Sequence, residues 1–164
     1  MKKNIITKCS SIKLMITDVD GVLTDGGMYY SEKGESFKKF NTRDGMGVKL
    51  LRNHKIPVVI ITGENSKIVL KRAKKLLIKD VFIGIKKKEL LLSKICKKYH
   101  VNENNIAYIG DDLNDLNILQ QVGFSASPKD GMAVIKKKSN YVCNAKGGEG
   151  VLREIADMII SFKQ

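Results

Sequence analysis

Tryptophan is absent from the 164 residues, proline occurs twice and cysteine three times. With aromatics at 6%, the chain offers few flat rings on which unpaired bases could stack. Cys9, Cys96 and Cys143 are odd in number and far apart, with no C-x-x-C pair, which argues against a disulfide framework or a zinc cluster. His54 and His100 are equally isolated, and ordinary surface or core roles suffice for them. No apolar run approaches the ~20 residues that a membrane span needs, so no membrane partner is expected. The start of the chain is polar and basic and lacks the apolar stretch of a secretory leader. It reads as a loose lead-in to the first strand, in a cytoplasmic protein. No repeat, low-complexity block or linker divides the chain, so residues 1–164 are expected to form one domain.

Charge is what the chain has in excess. Lysine and arginine total 30 against 17 acidic residues, a net charge of +13 that invites a nucleic-acid reading. Arginine, however, occurs only as Arg43, Arg52, Arg72 and Arg153, whereas phosphate forks and base readout favour guanidinium. The lysines fall on predicted helix faces, such as Lys71, Lys74, Lys75 and the run 86–88, and read as solvated. No nucleic-acid partner is expected; the positive field would steer a small anion instead.

Apolar bursts alternate with helical patterns along the whole chain. Strands are predicted at 12–17, 57–62, 81–83, 106–109, 123–126 and 141–143, and a hairpin from 28–31 and 35–40. Helices are predicted near 44–53, with Asp44 as a cap, and at 65–77, with Ile68, Leu76 and Leu77 facing inward. Further helices are predicted at 88–99, 113–121, 132–137 and 150–162. Buried strands alternating with helices predict an α/β fold, a doubly wound and mostly parallel sheet with a small hairpin insertion at about 25–40 and no large cap domain. In such sheets, ligands sit beyond the carboxyl ends of the strands. Chemistry-bearing residues should therefore follow strands directly.

They do. Asp18 and Asp20 follow the first strand, Thr62 comes at the end of the second long strand, and Asp111, Asp112 and Asp115 follow 106–109. Crowded carboxylates repel and raise one another's pKa values, and a hard divalent cation relieves this. Magnesium prefers oxygen ligands and uses one or two carboxylates with substrate phosphate; no nitrogen or sulfur ligand lies near these motifs. A calcium loop starting at Asp18 is excluded because Val22 and Tyr29 stand where an EF-hand needs oxygen ligands.

Asp18-Val19-Asp20-Gly21, Ile61-Thr62-Gly63, Lys88 and Gly110-Asp111-Asp112-Leu113-Asn114-Asp115 occur in the order of the four motifs of the haloacid dehalogenase superfamily, which the chain resembles over nearly its whole length. The resemblance implies a Mg²⁺-dependent phosphatase working through an aspartyl phosphate. It implies Asp18 as nucleophile, Asp20 as general acid and then base, Thr62 as donor to phosphoryl oxygens, and Lys88 as charge balance. It further implies that Asp18, the carbonyl of Asp20, and Asp111 hold the metal, with Asp112 and Asp115 supporting that shell. A phosphomonoester dianion repels an anionic nucleophile, so neutralisation by a cation and a lysine is the main remedy.

The segment Phe40-Asn41-Thr42-Arg43-Asp44-Gly45, the hairpin, and Gly147-Gly148-Glu149-Gly150 with Arg153 resemble the 3-deoxy-D-manno-octulosonate 8-phosphate phosphatase family. The resemblance implies a homotetramer whose hairpins form a central barrel and whose neighbouring subunits cover each site. Its substrate would be a small sugar-acid phosphate. Arg43 and Arg153 are candidate anchors for the sugar carboxylate, a surface ion pair being the alternative for each. Asp44 and Gly45 belong to the same candidate set. The glycine segment is either a flexible turn or a mobile flap. At Glu64, after Thr62-Gly63, the octulosonate enzymes usually have arginine. Glu64 with Lys75 resembles the sister group acting on nine-carbon acids, ketodeoxynononate or N-acylneuraminate 9-phosphate, and tilts the expectation toward nine carbons. Two non-catalytic readings stand beside the enzyme: a nucleic-acid-binding module, and an accessory subunit of a sugar nucleotidyltransferase.

Overall fold

The structure is a computed structural model that describes residues 2–163. In chain order it runs α1 (Lys2–Ser10), β1 (Leu14–Thr17), β2 (Tyr29–Ser31), β3 (Gly34–Phe37), α2 (Thr42–Asn53), β4 (Val58–Ile61), α3 (Lys67–Leu76), β5 (Asp80–Phe82), α4 (Leu92–Tyr99), β6 (Ile106–Ile109), α5 (Leu116–Leu119), β7 (Phe124–Ser127), α6 (Ala133–Lys138), β8 (Tyr141–Val142) and α7 (Val151–Ser161). Short 3-10 turns at Lys88–Leu91 and Leu113–Asp115 lead into α4 and α5.

β1, β4, β6 and β7 are buried along their whole lengths, as strands covered on both faces must be. Successive side chains point to opposite faces. Met15, Val58, Ile60, Ala107 and Ile109 join one core with α2, α3 and α7. Leu14, Ile16, Val59, Ile61, Ile106 and Tyr108 join the other, with α4, α5 and α6. On α7 the buried residues Val151, Leu152, Ile155, Ala156 and Ile159 form one stripe at helical spacing. Full burial of each leucine or isoleucine there contributes about 1.5–3 kcal/mol, so a charge at Ile155 would undo the layer.

The six-stranded sheet has the order β5-β4-β1-β6-β7-β8. Every pairing in it is parallel, and β2 and β3 pair separately as the antiparallel hairpin. The chain builds outward from β1 to β4 and β5, then crosses to β6 on the other side of β1. That reversal is a topological switch point, and it opens a crevice at the carboxyl ends of β1, β4 and β6.

Three local expectations are corrected. Residues 2–10 form helix α1 rather than a loose lead-in, because Cys9 is fully buried in the α7-side core and Lys8 Nζ donates to the Gly123 carbonyl at 2.7 Å. Asn41, not Asp44, caps α2 by accepting from the Arg43 N–H at 2.9 Å. Leu77 turns outward, 67% exposed. It is the left-handed C-cap of α3 at φ 61°, and Val69 and Ala73 are that helix's buried residues.

Candidate active site

The loops after β1, β4 and β6 meet in a crevice of about 450 Å³ lined by Asp18, Asp20, Thr62, Gly63, Glu64, Asp111 and Asp112, among others. Parallel pairing of β1 with β6 brings Thr17 level with Ile109, so the residues just beyond them, Asp18 and Asp111, converge. Carboxylate oxygens of Asp18, Asp111 and Asp115 lie within 4.8 Å of one another. Close approach of the loops demands glycine at position 21. Its φ is +82°, and a Cβ there would sit 2.1 Å from Asp111 Oδ2.

Lys88 holds this cluster together. Its side chain is fully buried, with Nζ 2.8 Å from Asp18 Oδ2 and 2.6 Å from Asp115 Oδ1. It is therefore no solvated lysine, unlike the reading of the run 86–88 as a helix face. Burial works against the ammonium, but the charges of Asp18 and Asp115 outweigh it and raise its pKa. Asp115 is held by several donors. Besides Lys88, its Oδ1 accepts from the buried Tyr108 hydroxyl, and its Oδ2 accepts from the Asp111 N–H at 2.9 Å. It orders the loop after β6, where its Oδ2 also meets the Asp112 N–H at 3.4 Å. Asp112 is exposed and caps the following turn by accepting from the Leu113 N–H at 2.7 Å.

One lysine does not neutralise this charge. Burial first, then the neighbouring Asp115, pushes the Asp18 carboxyl well above the carboxylate range despite Lys88. Burial, Asp115 and Asp112 likewise push Asp111 up to about 7. Asp18 Oδ1 is buried without a hydrogen-bond partner. An unpartnered oxygen among crowded, under-neutralised carboxylates is the donor set of a hard divalent cation, and the residues present fit Mg²⁺.

Thr62 is 1% exposed and lines the crevice with its neighbours Gly63 and Glu64. The Thr62 N–H bonds to Phe82 O at 2.9 Å, and its own carbonyl accepts from Ile85 at 3.0 Å, which clamps the loop to β5. Asp20 lies on the crevice wall, its Oδ1 2.6 Å from Lys38 Nζ.

The remaining expected substrate residues do not line this crevice within one chain. Asp44 is buried on α2 and accepts from the Arg153 N–H at 3.1 Å, so it caps the start of α7. Burial raises its pKa to about 6. Gly45 packs beneath α3, where a Cβ would meet Leu76 at 3.1 Å. Arg153 pairs with Asp157 at 2.8 Å on the surface of α7, the ion-pair alternative. Arg43 borders a separate hollow with Asn41, Asn144 and Glu149. Lys75 is exposed in the last turn of α3. In this structure the glycine segment is docked against the loop after β1. The Gly148 N–H donates to Val22 O at 3.0 Å, the Gly147 N–H to Asp130 at 2.9 Å, and a Cβ at Gly147 would lie 2.2 Å from Gly21 O. These glycines let the segment brace the loop that carries Asp20.

Sequence reasoning missed Lys38 and Tyr108. Lys38 is camouflaged among 30 basic residues, and Tyr108 reads as one more apolar position of a buried strand. Neither residue type marks the role: Lys38 is defined by its contact with Asp20, 18 residues earlier, and Tyr108 by a hydroxyl that reaches Asp115 across the loop after β6.

A parallel α/β sheet with a carboxylate–lysine cluster at its switch point defines a class: metal-dependent hydrolases acting on phosphate esters. A model of the haloacid dehalogenase-like hydrolases matches residues 84–155. The 3-deoxy-D-manno-octulosonate 8-phosphate phosphatase of Salmonella typhi is 37% identical over 157 residues, covering 96% of this chain and 84% of the relative. The Moraxella catarrhalis enzyme of that name, solved with magnesium, phosphate and a KDO molecule, superposes with a TM-score of 0.96 at 36% identity, covering 99% of this chain and 94% of that one. A cobalt-bound form of the Haemophilus influenzae phosphatase gives a TM-score of 0.93 at 39% identity, covering 95% and 91%. The chain belongs to the haloacid dehalogenase superfamily, in the capless subgroup of the 3-deoxy-D-manno-octulosonate 8-phosphate phosphatase family. It is a Mg²⁺-dependent phosphatase. No helix among the described residues is long and apolar enough to cross a membrane.

Proposed function

We propose that this chain hydrolyses 3-deoxy-D-manno-octulosonate 8-phosphate, with Asp18 as nucleophile, Asp20 as proton carrier, and Thr62 and Lys88 as stabilisers of the transferring group. The observation that carries the assignment is Asp18 itself. One oxygen is held by a buried ammonium and the other is unpartnered beside Asp111. Asp18 and Asp111, with the backbone carbonyl of Asp20, would hold Mg²⁺, which supplies charge neutralisation at the phosphoryl oxygens when bound. The Asp18 carboxylate bonds to phosphorus as the bond to the sugar oxygen breaks, and Asp20 gives its proton to the departing alkoxide. Asp20 then takes a proton from water as the water oxygen attacks phosphorus and the bond to Asp18 breaks, releasing phosphate. The Thr62 hydroxyl donates to the phosphoryl oxygens; Asp112 and Asp115 fix the loop behind them.

The eight-carbon substrate rests on the names of the relatives. The nine-carbon 9-phosphates stand as the second reading, favoured by Glu64 on the crevice wall, where a carboxylate would accept from sugar hydroxyls. The crevice is open in a single chain, and the hairpin exposes Met28, Tyr30 and Phe37, with Phe37 stacked on Tyr29. A two-stranded ribbon is marginal alone. A homotetramer in the cytoplasm, in which hairpins pack together and a neighbour's Lys75, Arg43 or Arg153 meets the sugar carboxylate, accounts for both features.

Phosphate release from the octulosonate 8-phosphate, ketodeoxynononate 9-phosphate and N-acylneuraminate 9-phosphate, with and without Mg²⁺, tests the reading. Preferred turnover of the first is expected, with none in Asp18→Ala. Turnover surviving in Asp18→Ala would overturn the mechanism, and a preference for a 9-phosphate would overturn the substrate.

A further inference from the structure

Lys38 follows the hairpin directly, yet its side chain is only 1% exposed. Its Nζ lies 2.6 Å from Asp20 Oδ1 and 2.7 Å from Glu35 Oε1. Glu35, on β3, in turn accepts from the hydroxyl of Ser66, which precedes α3 in the loop that begins with Thr62. The chain of contacts thus runs from the hairpin to the crevice and across to the loop after β4. Burying an ammonium is costly unless carboxylates surround it, and two do.

The arrangement treats the two oxygens of Asp20 differently. Lys38 can only donate, so Oδ1 is occupied as an acceptor. Oδ2 is buried and has no hydrogen-bond partner. Among the described residues, the only other side-chain contact on Oδ1 is the Thr24 hydroxyl at 3.5 Å, too long to hold a rotamer.

The geometry points to Lys38 as the positioning residue of Asp20: anchored through Glu35 and Ser66, it fixes the carboxyl rotamer. The hairpin is thereby part of the proton-transfer machinery, quite apart from its apolar outer face. This inference rests on the reading of Asp20 as acid and base. Misplacing a catalytic group by about 1 Å costs on the order of 10²-fold in rate.

The test compares Lys38→Met, Lys38→Arg and Asp20→Asn on octulosonate 8-phosphate and on 4-nitrophenyl phosphate, whose leaving group needs no proton. In Lys38→Met, kcat on the sugar phosphate is expected to fall about 10²-fold with KM within about twofold. With 4-nitrophenyl phosphate, stopped-flow should show a burst of about one nitrophenolate per site and then slow turnover, because dephosphorylation still needs the base. Lys38→Arg, which retains a donor to both carboxylates, should recover most of the rate. If Lys38→Met does not yield folded protein, Glu35→Gln, which loosens the anchor, is read by the same two measurements. Unchanged kcat, or equal losses on both substrates without a burst, would overturn the role of Lys38. An Asp20→Asn enzyme with normal turnover would instead overturn the acid/base reading on which it rests.

Discussion

Replacing Lys88 by methionine removes the buried ammonium that touches both Asp18 and Asp115. At 2.8 Å, unit charges attract by ~6 kcal/mol at an effective dielectric of about 20. Desolvation offsets much of that, and breaking a buried pair typically costs about 3–5 kcal/mol, because the carboxylates left behind stay buried and unpaired. For a chain of 164 residues this corresponds to a fall in Tm of roughly 10 °C. Urea denaturation in chelator and in saturating Mg²⁺ is the assay. The variant should lose about 3–5 kcal/mol in chelator and recover a larger share on adding Mg²⁺ than the wild type gains, since the ion then neutralises Asp18 alone. Lys88→Met combined with Asp115→Asn should regain stability but not turnover, with kcat down by at least ~10² in both. A loss below ~1 kcal/mol in chelator, or an equal response of variant and wild type to Mg²⁺, would refute the claim that Lys88 is the internal counterion.

Asp44 yields a pH test away from the crevice. Its folded pKa of about 6 lies above the ordinary 3.8, so the folded state keeps this proton to higher pH than the unfolded state. Its contribution is most favourable below pH ~4 and is lost as pH rises through ~6, by up to about 3 kcal/mol at 1.36 kcal/mol per unit. Asp44→Asn keeps the acceptor for Arg153 but should abolish that slope; parallel stability–pH curves for wild type and variant would count against it. Gly21→Ala must accommodate a Cβ 2.1 Å from Asp111 Oδ2, so calorimetry should show Mg²⁺ affinity reduced by at least about tenfold, with the far-UV spectrum unchanged. An unaltered affinity would show that Gly21 does not set the loop approach. Mg²⁺ at about 100 times its Kd should stabilise the wild type by ~2.7 kcal/mol, seen as a rise in Tm that Asp18→Ala and Asp111→Ala each largely remove.

Much of the fold is legible because its strands are buried on both faces. The run 106–109 is apolar from end to end and closes on Gly110, and β6 has those bounds. Helix α1 was illegible because its order comes from tertiary packing of Cys9 and the reach of Lys8 to Gly123, not from local propensity. Among the crevice residues, Asp18, Asp20, Thr62 and Asp111 announce themselves by following strands. Lys88, one of three adjacent lysines, is picked out in the sequence by the motif resemblance alone, and its burial and contacts distinguish it in the structure. Asp44 and Gly45 sit in a motif that invites a substrate role, yet within one chain they lock α2 to α7 and α3. A residue's place in a recognisable segment does not say whether it faces ligand or scaffold; burial does.

The internal counterion has a consequence for the life of the protein. Because an ammonium already sits among the acidic side chains, the polypeptide can complete its fold before any magnesium arrives. Scarcity of the ion would then leave a store of intact, idle protein, and activity would follow ionic supply without new synthesis.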